Sequence, residues 1–418
     1  MFSHTLAPGR SHFCLRIVFL LLALFIFSPV SAAQGGERQI CEQRLRQSLR
    51  LNTDWLLNGQ QENGLFTYEL KPLDQVKPET NNMVRQIGTF WGLIRMQEFD
   101  GRSEIKQAIS RFRNAIRRYI KKGNSPGGEI AYIEFNNAAK LNSAALYLLA
   151  LASMKQAGMV LTPEEQEIAP LLINGLKQMA NGKGGFWYIY YLDEKHNRIT
   201  SYGSAEAIYA LAMWAHVTGD DDLRDYARAT FMAYYDHYLR DLDEFENTLF
   251  RAWFSWALHA QSLLGAADEE DRYKYYIRPM LALALAHRAA NPTCAEAGCI
   301  MGPTASDAPF LEGIVAAYPI AKRHEQDEYF VNAIENYIAR ALPALLSLQA
   351  TADSTELLEK SPHAPEALIG GICFDPGCSF MRNDLNQHAM IAMLNYTQTM
   401  CPAREPPATH GQESNAAH

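Results

Sequence analysis

Six times along this chain, a loop rich in Gly, aromatic and charged residues leads into an apolar helical segment that opens with polar side chains. A repeat with a period of tens of residues constrains the architecture before any residue chemistry is considered. It also predicts where a functional site would lie, because the loops of successive repeats converge at one end. Clear examples of these junctions are 64–68 leading to 82–91, 184–188 leading to 201–206, and 370–373 leading to 382–388.

Helical periodicity dominates the chain and predicts twelve helices in six pairs. In most pairs the first helix is amphipathic and charged, as at 111–120, whereas the second is apolar on every side, as at 141–151. A helix that is apolar all round is buried, and one with a polar stripe faces water. The predicted pairs are 40–58 with 82–99, 103–121 with 138–157, 162–180 with 203–218, 221–240 with 246–264, 269–290 with 307–322, and 327–350 with 382–400.

Alternating outer and inner helices predict two concentric layers. Six such pairs that close on themselves make an all-α (α/α)6 toroid, with short β-hairpin loops at one end. Strand-like alternation at 129–135 and 186–191 marks these loops. An open helical solenoid is the alternative, but its repeats are usually shorter and more uniform than repeats of about sixty residues.

The amino-terminal residues have the pattern of a secretory signal peptide. Arg10 and Arg16 precede an apolar run at 17–27, and small residues follow it. That run is too short to span a bilayer as a helix. We therefore expect a periplasmic or secreted protein without a stable membrane anchor after cleavage. The expected divisions are a signal peptide at 1–32, a toroid domain at 33–401 and a disordered tail at 402–418.

The charge and the motifs exclude several classes of function. The formal net charge is −8, and nucleic-acid partners require a basic surface, so none is expected. An anionic small substrate held by a few arginines remains compatible with this charge. A Gly-Xaa-Ser-Xaa-Gly motif, a Walker loop and a dinucleotide fingerprint are all absent from the sequence, so no cofactor is predicted.

Six cysteines follow the predicted signal peptide, and an even number in an oxidising compartment suggests disulfides. Two pairs share one spacing, with Gly just before the second Cys, and each could close a small loop. The remaining two would then tie the first helix to the last, but six cysteines allow fifteen connectivities. A zinc site is less favoured because it usually needs tighter Cys pairs and His at ligand spacing. The cysteines are Cys41, Cys294, Cys299, Cys373, Cys378 and Cys401.

Short phrases at the starts of the inner helices resemble the six-hairpin toroids of carbohydrate-active enzymes. They stand at 82–89, at 202–211 with 218–220, and at 382–388. They are similar to the inner-helix starts of bacterial toroid proteins related to glucuronyl C5-epimerase and glycosidase-like domains. The resemblance implies a glycan or polysaccharide substrate. It does not fix the reaction, because toroids also include lyases and cyclases.

The candidate catalytic residues lie in the first turns of inner helices. Asp384 and His388 are four residues apart, so they share one helix face, and Arg382 precedes them. Glu206 opens the third inner helix, where the helix dipole alone would also favour a carboxylate. Two carboxylates across a sugar can act as general acid and as base or nucleophile. The rival second carboxylates are Asp307, Glu312, Glu129 and Glu134.

Arg85 is the best candidate for binding an anionic group of a substrate, because guanidinium pairs with carboxylate or phosphate in a bidentate manner. The alternative is a salt bridge between Arg85 and one of the acids named above. Aromatic side chains in the loops offer flat faces for sugar rings, although ordinary packing would also explain them. The aromatic candidates are Tyr68, Trp187, Tyr188, Tyr190 and Tyr202.

Three functions are compatible with these residues, and the sequence favours the first, glycoside hydrolysis, over the other two. Glycoside hydrolysis would use Glu206, Asp384 and Asp307 as paired carboxylates. Lyase or C5-epimerase chemistry on a uronic acid would use Arg85 to neutralise the substrate carboxylate, with His388 and a Tyr moving protons. The third is a non-catalytic glycan-binding or assembly protein of an export system. The fourth junction, at 247–251, is expected to be structural.

Overall fold

The computed structural model describes most of the chain that follows the predicted signal peptide. Predictions that concern the signal peptide, the tail, Cys294, Cys299, Tyr188 and Tyr202 therefore lie outside the described residues. Within helices and strands, no side chain is described at 37–42, 189–190, 237–240, 247–253 and 287–290. The described ranges are 37–75, 80–182, 185–187, 189–190, 203–240, 247–265, 268–290 and 304–401.

Six apolar helices form the inner layer. Each packs against the next one in the chain, and the last packs against the first, so the layer is a closed ring. This closure confirms the (α/α)6 toroid and excludes the open solenoid. The inner helices are α2 (Met83–Asp100), α4 (Leu141–Gln156), α6 (Ser204–Thr218), α8 (Asn247–Gln261), α11 (Ala308–His324) and α14 (Asn383–Met400).

The outer helices cover the ring. Helices α3, α5, α7 and α12 pack on the inner helix that precedes each of them, and α1 packs on α14. Among the described helices, none is long and apolar enough to cross a membrane. The outer helices are α1 (Glu37–Asn58), α3 (Ser103–Ile116), α5 (Pro163–Gln178), α7 (Asp221–Arg240), α9 (Glu269–Arg272), α10 (Arg278–Ala290) and α12 (Glu328–Leu346), and a short α13 (Thr355–Lys360) lies in the last loop.

Burial explains the contrast between the two layers. Helix α3 is amphipathic and buries one stripe, which includes Ile105, Ile109 and Phe112. Helix α4 is buried from Leu141 to Met154 on every side. The predicted helix at 103–121 is too long, because the chain leaves the helix at Ile116 and enters a strand.

Short strands connect the junctions at one end of the ring. Strand β1 pairs antiparallel with β6, so Glu69 lies opposite Arg382 and the first junction is joined to the sixth. The other four strands form one antiparallel sheet in the order β2-β3-β4-β5. The strands are β1 (Glu69–Leu70), β2 (Ile120–Ser125), β3 (Gly128–Phe135), β4 (Ala138–Lys140), β5 (Ile189–Tyr190) and β6 (Met381–Arg382).

One of the two predicted short disulfide loops is described. Cys373 and Cys378 form a disulfide within the loop that precedes β6. Cys401 is also disulfide-bonded, and its partner is not among the described cysteine side chains. The pairing of Cys401 with Cys41 therefore stays a prediction.

A buried polar network closes the ring between the first and last helices. The Asn52 amide in α1 donates to Oδ1 of Asn386 in α14, at 2.7 Å, and to the carbonyl of Gly370. The same Oδ1 accepts the backbone N–H of Ile372 at 2.7 Å. The Gln349 amide also donates to the Gly370 carbonyl, at 3.1 Å. Asn386 thus holds the sixth junction loop against both ends of the chain.

We expect the Asn386→Ala substitution to lower the free energy of unfolding by about 3 kcal/mol, because it leaves the buried Ile372 N–H without a partner and removes one of the two hydrogen bonds that the Asn52 amide donates. Urea denaturation would measure the change. The matched control is Asn336→Ala on the exposed face of α12, which should change the value by less than about 0.5 kcal/mol. Equal losses in the two variants would contradict a closing role for this network.

Candidate active site

Two imidazoles from different inner helices converge on one buried carboxylate. Glu312, near the start of α11, has no exposed surface. Nδ1 of His388 lies 2.7 Å from its Oε2, and Nε2 of His259 lies 3.3 Å from its Oε1. His259 and Glu312 do not meet in hydrogen-bond geometry, so their contact is electrostatic. The carboxylate thus links α8, α11 and α14 in the interior of the ring.

The pKa values of this cluster follow from burial and charge. Burial alone would raise the pKa of Glu312, but its interactions with His259 and His388 outweigh burial and keep it below its ordinary value. Burial alone would lower the pKa of His388, but the hydrogen bond to Glu312 and the charges of Glu312, Asp384 and Glu206 raise it. The ion pair therefore favours an imidazolium at His388.

The geometry also assigns the nitrogen that can act on a substrate. Since Glu312 accepts at Nδ1 of His388, that nitrogen carries a proton. Nε2 of His388 forms no hydrogen bond within the described residues, and the side chain keeps 17% of its surface exposed. His388 can therefore present an N–H to the interior of the toroid.

Glu206 is a second proton-transfer group in the same region. It lies in the first turn of α6 and is 6% exposed. Its Oε1 accepts from the Asn142 amide at 3.1 Å, and Oε2 has no hydrogen-bond partner within the described chain. Burial raises the pKa of Glu206 to about 7, although the Asn142 hydrogen bond and the charge of His388 act in the opposite direction. A carboxyl group with this pKa can give or take a proton near neutral pH.

A glycine allows Asn142 to reach Glu206. Gly203, just before α6, has a φ of 96°, and a Cβ there would lie 2.3 Å from Oδ1 of Asn142. A residue with a side chain would therefore displace Asn142. The glycine in the third junction thus serves the hydrogen bond that orients the Glu206 carboxyl group.

Asp384 is held by two arginines. Nε of Arg85 lies 2.8 Å from its Oδ2, and Nε of Arg382 lies 2.6 Å from its Oδ1. Arg85 also donates to the Tyr68 hydroxyl and lies over that ring. Asp384 is thus neutralised by cations, which makes it a poor free base or nucleophile. Its charge also acts on His388 and raises the pKa of that imidazole.

Aromatic rings hold the imidazoles in position. Trp256 packs edge-on against His388, with ring centroids 5.8 Å apart. Tyr209 stacks on His259 at 5.4 Å. Trp91 contacts Trp256 at 5.1 Å, so these rings form one continuous cluster among α2, α6 and α8. Such packing restricts the rotation of both imidazoles.

The structure brings together six of the predicted site residues, namely Arg85, Tyr68, Arg382, Asp384, His388 and Glu206. Asp307 occupies the N-cap position of α11, where its side chain makes no capping hydrogen bond. Trp187 is partly buried against the core and makes no described contact with these side chains. The backbone of Tyr190 lies in β5, and its side chain is outside the description. Among the rival acids, Glu312 is the one that joins the cluster, whereas Glu129 is exposed in β3.

The fourth inner helix contributes residues that the sequence analysis did not consider. Helix α8 supplies His259 and Trp256 to the cluster, whereas the side chains of its junction at 247–251, which we expect to be structural, lie outside the description. Only the first turns of inner helices were considered from sequence, whereas His259 lies in the last turn of α8. The signal that could have found it is the spacing of Trp256 and His259, three residues apart on one helix face.

Within the described residues, no group of three His, Cys, Asp or Glu side chains is arranged to hold a metal ion.

The raised pKa of Glu206 makes the stability of the protein depend on pH. Between the ordinary pKa of a Glu and about 7, the folded state binds the extra proton, so stability falls as pH rises through this window. The Glu206→Gln variant lacks this loss. The difference in unfolding free energy, variant minus wild type, should therefore increase by about 3 kcal/mol between pH 4 and pH 8, as measured by urea denaturation. A constant difference across this range would show that Glu206 is not buried as described.

Comparisons with known proteins support the fold. No family model matches the chain, and no curated protein matches it. Among solved structures, D-mannose isomerase superposes with a TM-score of 0.61 at 12% identity, covering 86% of this chain and 98% of that one. Cellobiose 2-epimerase from Spirochaeta thermophila gives 0.60 at 13% identity, covering 89% and 100%.

A third similar structure is an inactive variant of an α-1,6-mannanase from a Salegentibacter species, in complex with α-1,6-mannotetrose. Its TM-score is 0.56 at 12% identity, and the match covers 85% of this chain and 99% of that one. Identities this low establish the fold alone. The chain therefore has the six-hairpin (α/α)6 toroid fold that sugar epimerases, a sugar isomerase and a family 76 mannanase share.

Proposed function

We propose that this protein is a carbohydrate-active enzyme that epimerises or isomerises a sugar by proton transfer at carbon. The observation that carries the proposal is the convergence of His388 and His259 on the buried Glu312, next to the protonatable Glu206. Such a reaction requires an acid and a base, and His388, whose pKa is raised, and Glu206, whose pKa is about 7, can supply them.

The mechanism follows from their charge states. The Glu206 carboxylate removes a proton from the carbon next to the carbonyl of an open-chain sugar. The electron pair of the C–H bond forms a carbon–carbon double bond, and the carbonyl oxygen becomes an enediolate. The His388 imidazolium, charged through Glu312, stabilises this oxygen or returns a proton to the opposite face of the carbon. Return to the same carbon restores the carbonyl group and gives the epimer. Return to the former carbonyl carbon, with transfer of the proton of the neighbouring hydroxyl group to the enediolate oxygen, gives the isomer.

The similar structures support this choice of reaction class. Two of them are named as an isomerase of D-mannose and a 2-epimerase of cellobiose. Removal of a proton next to a carbonyl or carboxyl group is also the chemistry of the uronic-acid C5-epimerase that we considered from sequence. The closed ring, the arginines and His388 fit both reactions.

Glycoside hydrolysis is the second candidate, and two observations favour it. A Glu with a pKa of about 7 is suited to protonate a leaving group, and mannanases have the same fold. The second carboxylate is the weak point. Asp384 is paired with two arginines and Glu312 with two imidazoles, so neither is a free base or nucleophile. The geometry therefore supports proton transfer at carbon better than hydrolysis.

Deuterium exchange separates the two candidates. The full-length protein would be incubated in deuterated water with a panel of aldoses, disaccharides, uronic acids and oligosaccharides, and followed by proton NMR. Proton transfer predicts loss of the signal of the hydrogen next to the carbonyl or carboxyl carbon and growth of a new epimer or ketose. Release of reducing ends without exchange would favour hydrolysis. Binding of a glycan with neither change would support a non-catalytic protein.

We expect the His388→Gln substitution to lower the exchange rate by at least about 100-fold, because general acid–base groups contribute on the order of 100-fold to 10,000-fold. The matched control is His216→Gln, on the exposed part of α6, which should leave the rate unchanged. Circular dichroism would confirm that both variants are folded. A His388→Gln variant that keeps more than about a tenth of the rate would rule out His388 as the proton donor.

Export remains part of the proposal. If residues 1–32 are a signal peptide, the protein purified from the periplasm or the medium should begin at Ala33, which intact mass spectrometry would measure. A protein that retains residues 1–32 would contradict cleavage.

A further inference from the structure

Cationic side chains are concentrated at the starts of three neighbouring inner helices. Three cations lie on three neighbouring helices or just before them: Arg382 at α14, Arg85 in α2 and Lys140 at α4. The proposed acid–base groups are Glu206 in α6 and the histidine cluster on α8, α11 and α14. In a chain of net charge −8, a local group of three cations is unexpected.

The backbone of Lys140 pairs with Ile189 in the sheet, but its side chain has no structural partner among the described residues. It is the last residue of β4, just before α4, and its side chain is partly buried. Within the described residues, its ammonium group forms no hydrogen bond and no ion pair. A buried or half-buried charge without a partner costs free energy, so such a group is typically retained for a ligand.

The surroundings of Lys140 place it beside the site. Asn142, two residues further on, donates to Glu206. Helix α4 packs on α2, which carries Arg85, and the Arg85 charge acts on Lys140. Burial, followed by this repulsion from Arg85, lowers the pKa of Lys140.

The charges of the three cations are only partly compensated. Asp384 is the carboxylate paired with Arg85 and Arg382, and Glu69 acts on Arg382 through its charge. Neither acid contacts Lys140 in the structure. An additional negative charge near both Arg85 and Lys140 would therefore be stabilised by the two cations.

We infer that Lys140 and Arg85 bind an anionic group of the sugar substrate, a carboxylate, phosphate or sulfate, and so orient its reacting carbon toward Glu206 and His388. The orientation of the reacting carbon rests on the proposed function, whereas the binding of the anionic group does not depend on it. It makes the enzyme specific for acidic sugars. Lys140 would thus be a specificity-determining residue on the helix that neighbours the one carrying Glu206.

Calorimetric titration of the full-length protein tests the inference without any turnover. The probes are D-glucuronate, D-glucose 6-phosphate and D-glucose 6-sulfate, with neutral D-glucose as their reference, at pH 7 and low salt. At least one anionic sugar should bind about tenfold or more tightly than glucose, and added sodium chloride should weaken that preference because it screens the charges.

The variants locate the anionic group. Lys140→Met should lower the affinity for the preferred anionic sugar by about tenfold and leave glucose binding unchanged, whereas Lys140→Arg should retain most of the affinity. The matched control is Lys121→Met, an exposed lysine of β2, which should have no effect. Thermal melting would confirm that each variant is folded.

Three results would overturn the inference: no anionic sugar binds better than glucose, no probe binds, or Lys140→Met binds the preferred sugar like wild type. Loss of affinity in Lys140→Met but not in Arg85→Met would also overturn it, because the anion would then lie in the cavity of about 110 Å³ that Lys140 borders near α5. The proposed reaction is tested separately from this binding site. Hydrogen exchange on neutral sugars would support the reaction even if the anionic site were absent.

Discussion

The carboxylate of Glu312 has no exposed surface, and a buried carboxylate is tolerated in a protein interior only when cations or hydrogen bonds compensate it. Its compensation comes from His388 in α14 and His259 in α8, which reach it from both neighbouring helices. The position of α11 relative to α8 and α14 is thereby fixed by charge as well as by packing. The same pairing raises the pKa of His388, so one interaction serves both the assembly of the ring and the acid–base chemistry.

The closure of the ring is the second requirement, because the groups of the site come from all six inner helices and from the loop that precedes α14. Asn386 joins α14 to α1 and to the loop at Ile372, and β6 joins that loop to the first junction. These contacts bring Arg382 and Asp384 of the sixth junction against Arg85 of the first. Residues separated by almost the whole chain therefore meet through a few buried hydrogen bonds.

The fold was predictable from sequence because the signals that define it are local. Apolar periodicity separates the inner from the outer helices, and most helix boundaries lie within a few residues of the predicted ones. Helix α4 begins at Leu141 rather than 138 because Ala138 to Lys140 pair with neighbouring strands instead. Glu206, Asp384, His388 and Arg85 were found because they lie at helix starts. His259 was missed because its role depends on how closely two helices approach: a Cβ at Gly313 would lie 2.9 Å from Cα of Ser255. Sequence periodicity does not report that distance.

Asp384 interacts both with the cations at the helix starts and with the histidine cluster. It pairs with the cations of α2 and α14, and its negative charge also raises the pKa of His388. An anionic group bound at Arg85 would add a second negative charge near the same imidazole. By the electrostatics that already act there, it would further favour the imidazolium form of His388. Binding of an acidic sugar would thus help to charge the residue that we propose as proton donor, whereas a neutral sugar would leave that effect to Glu312, Asp384 and Glu206.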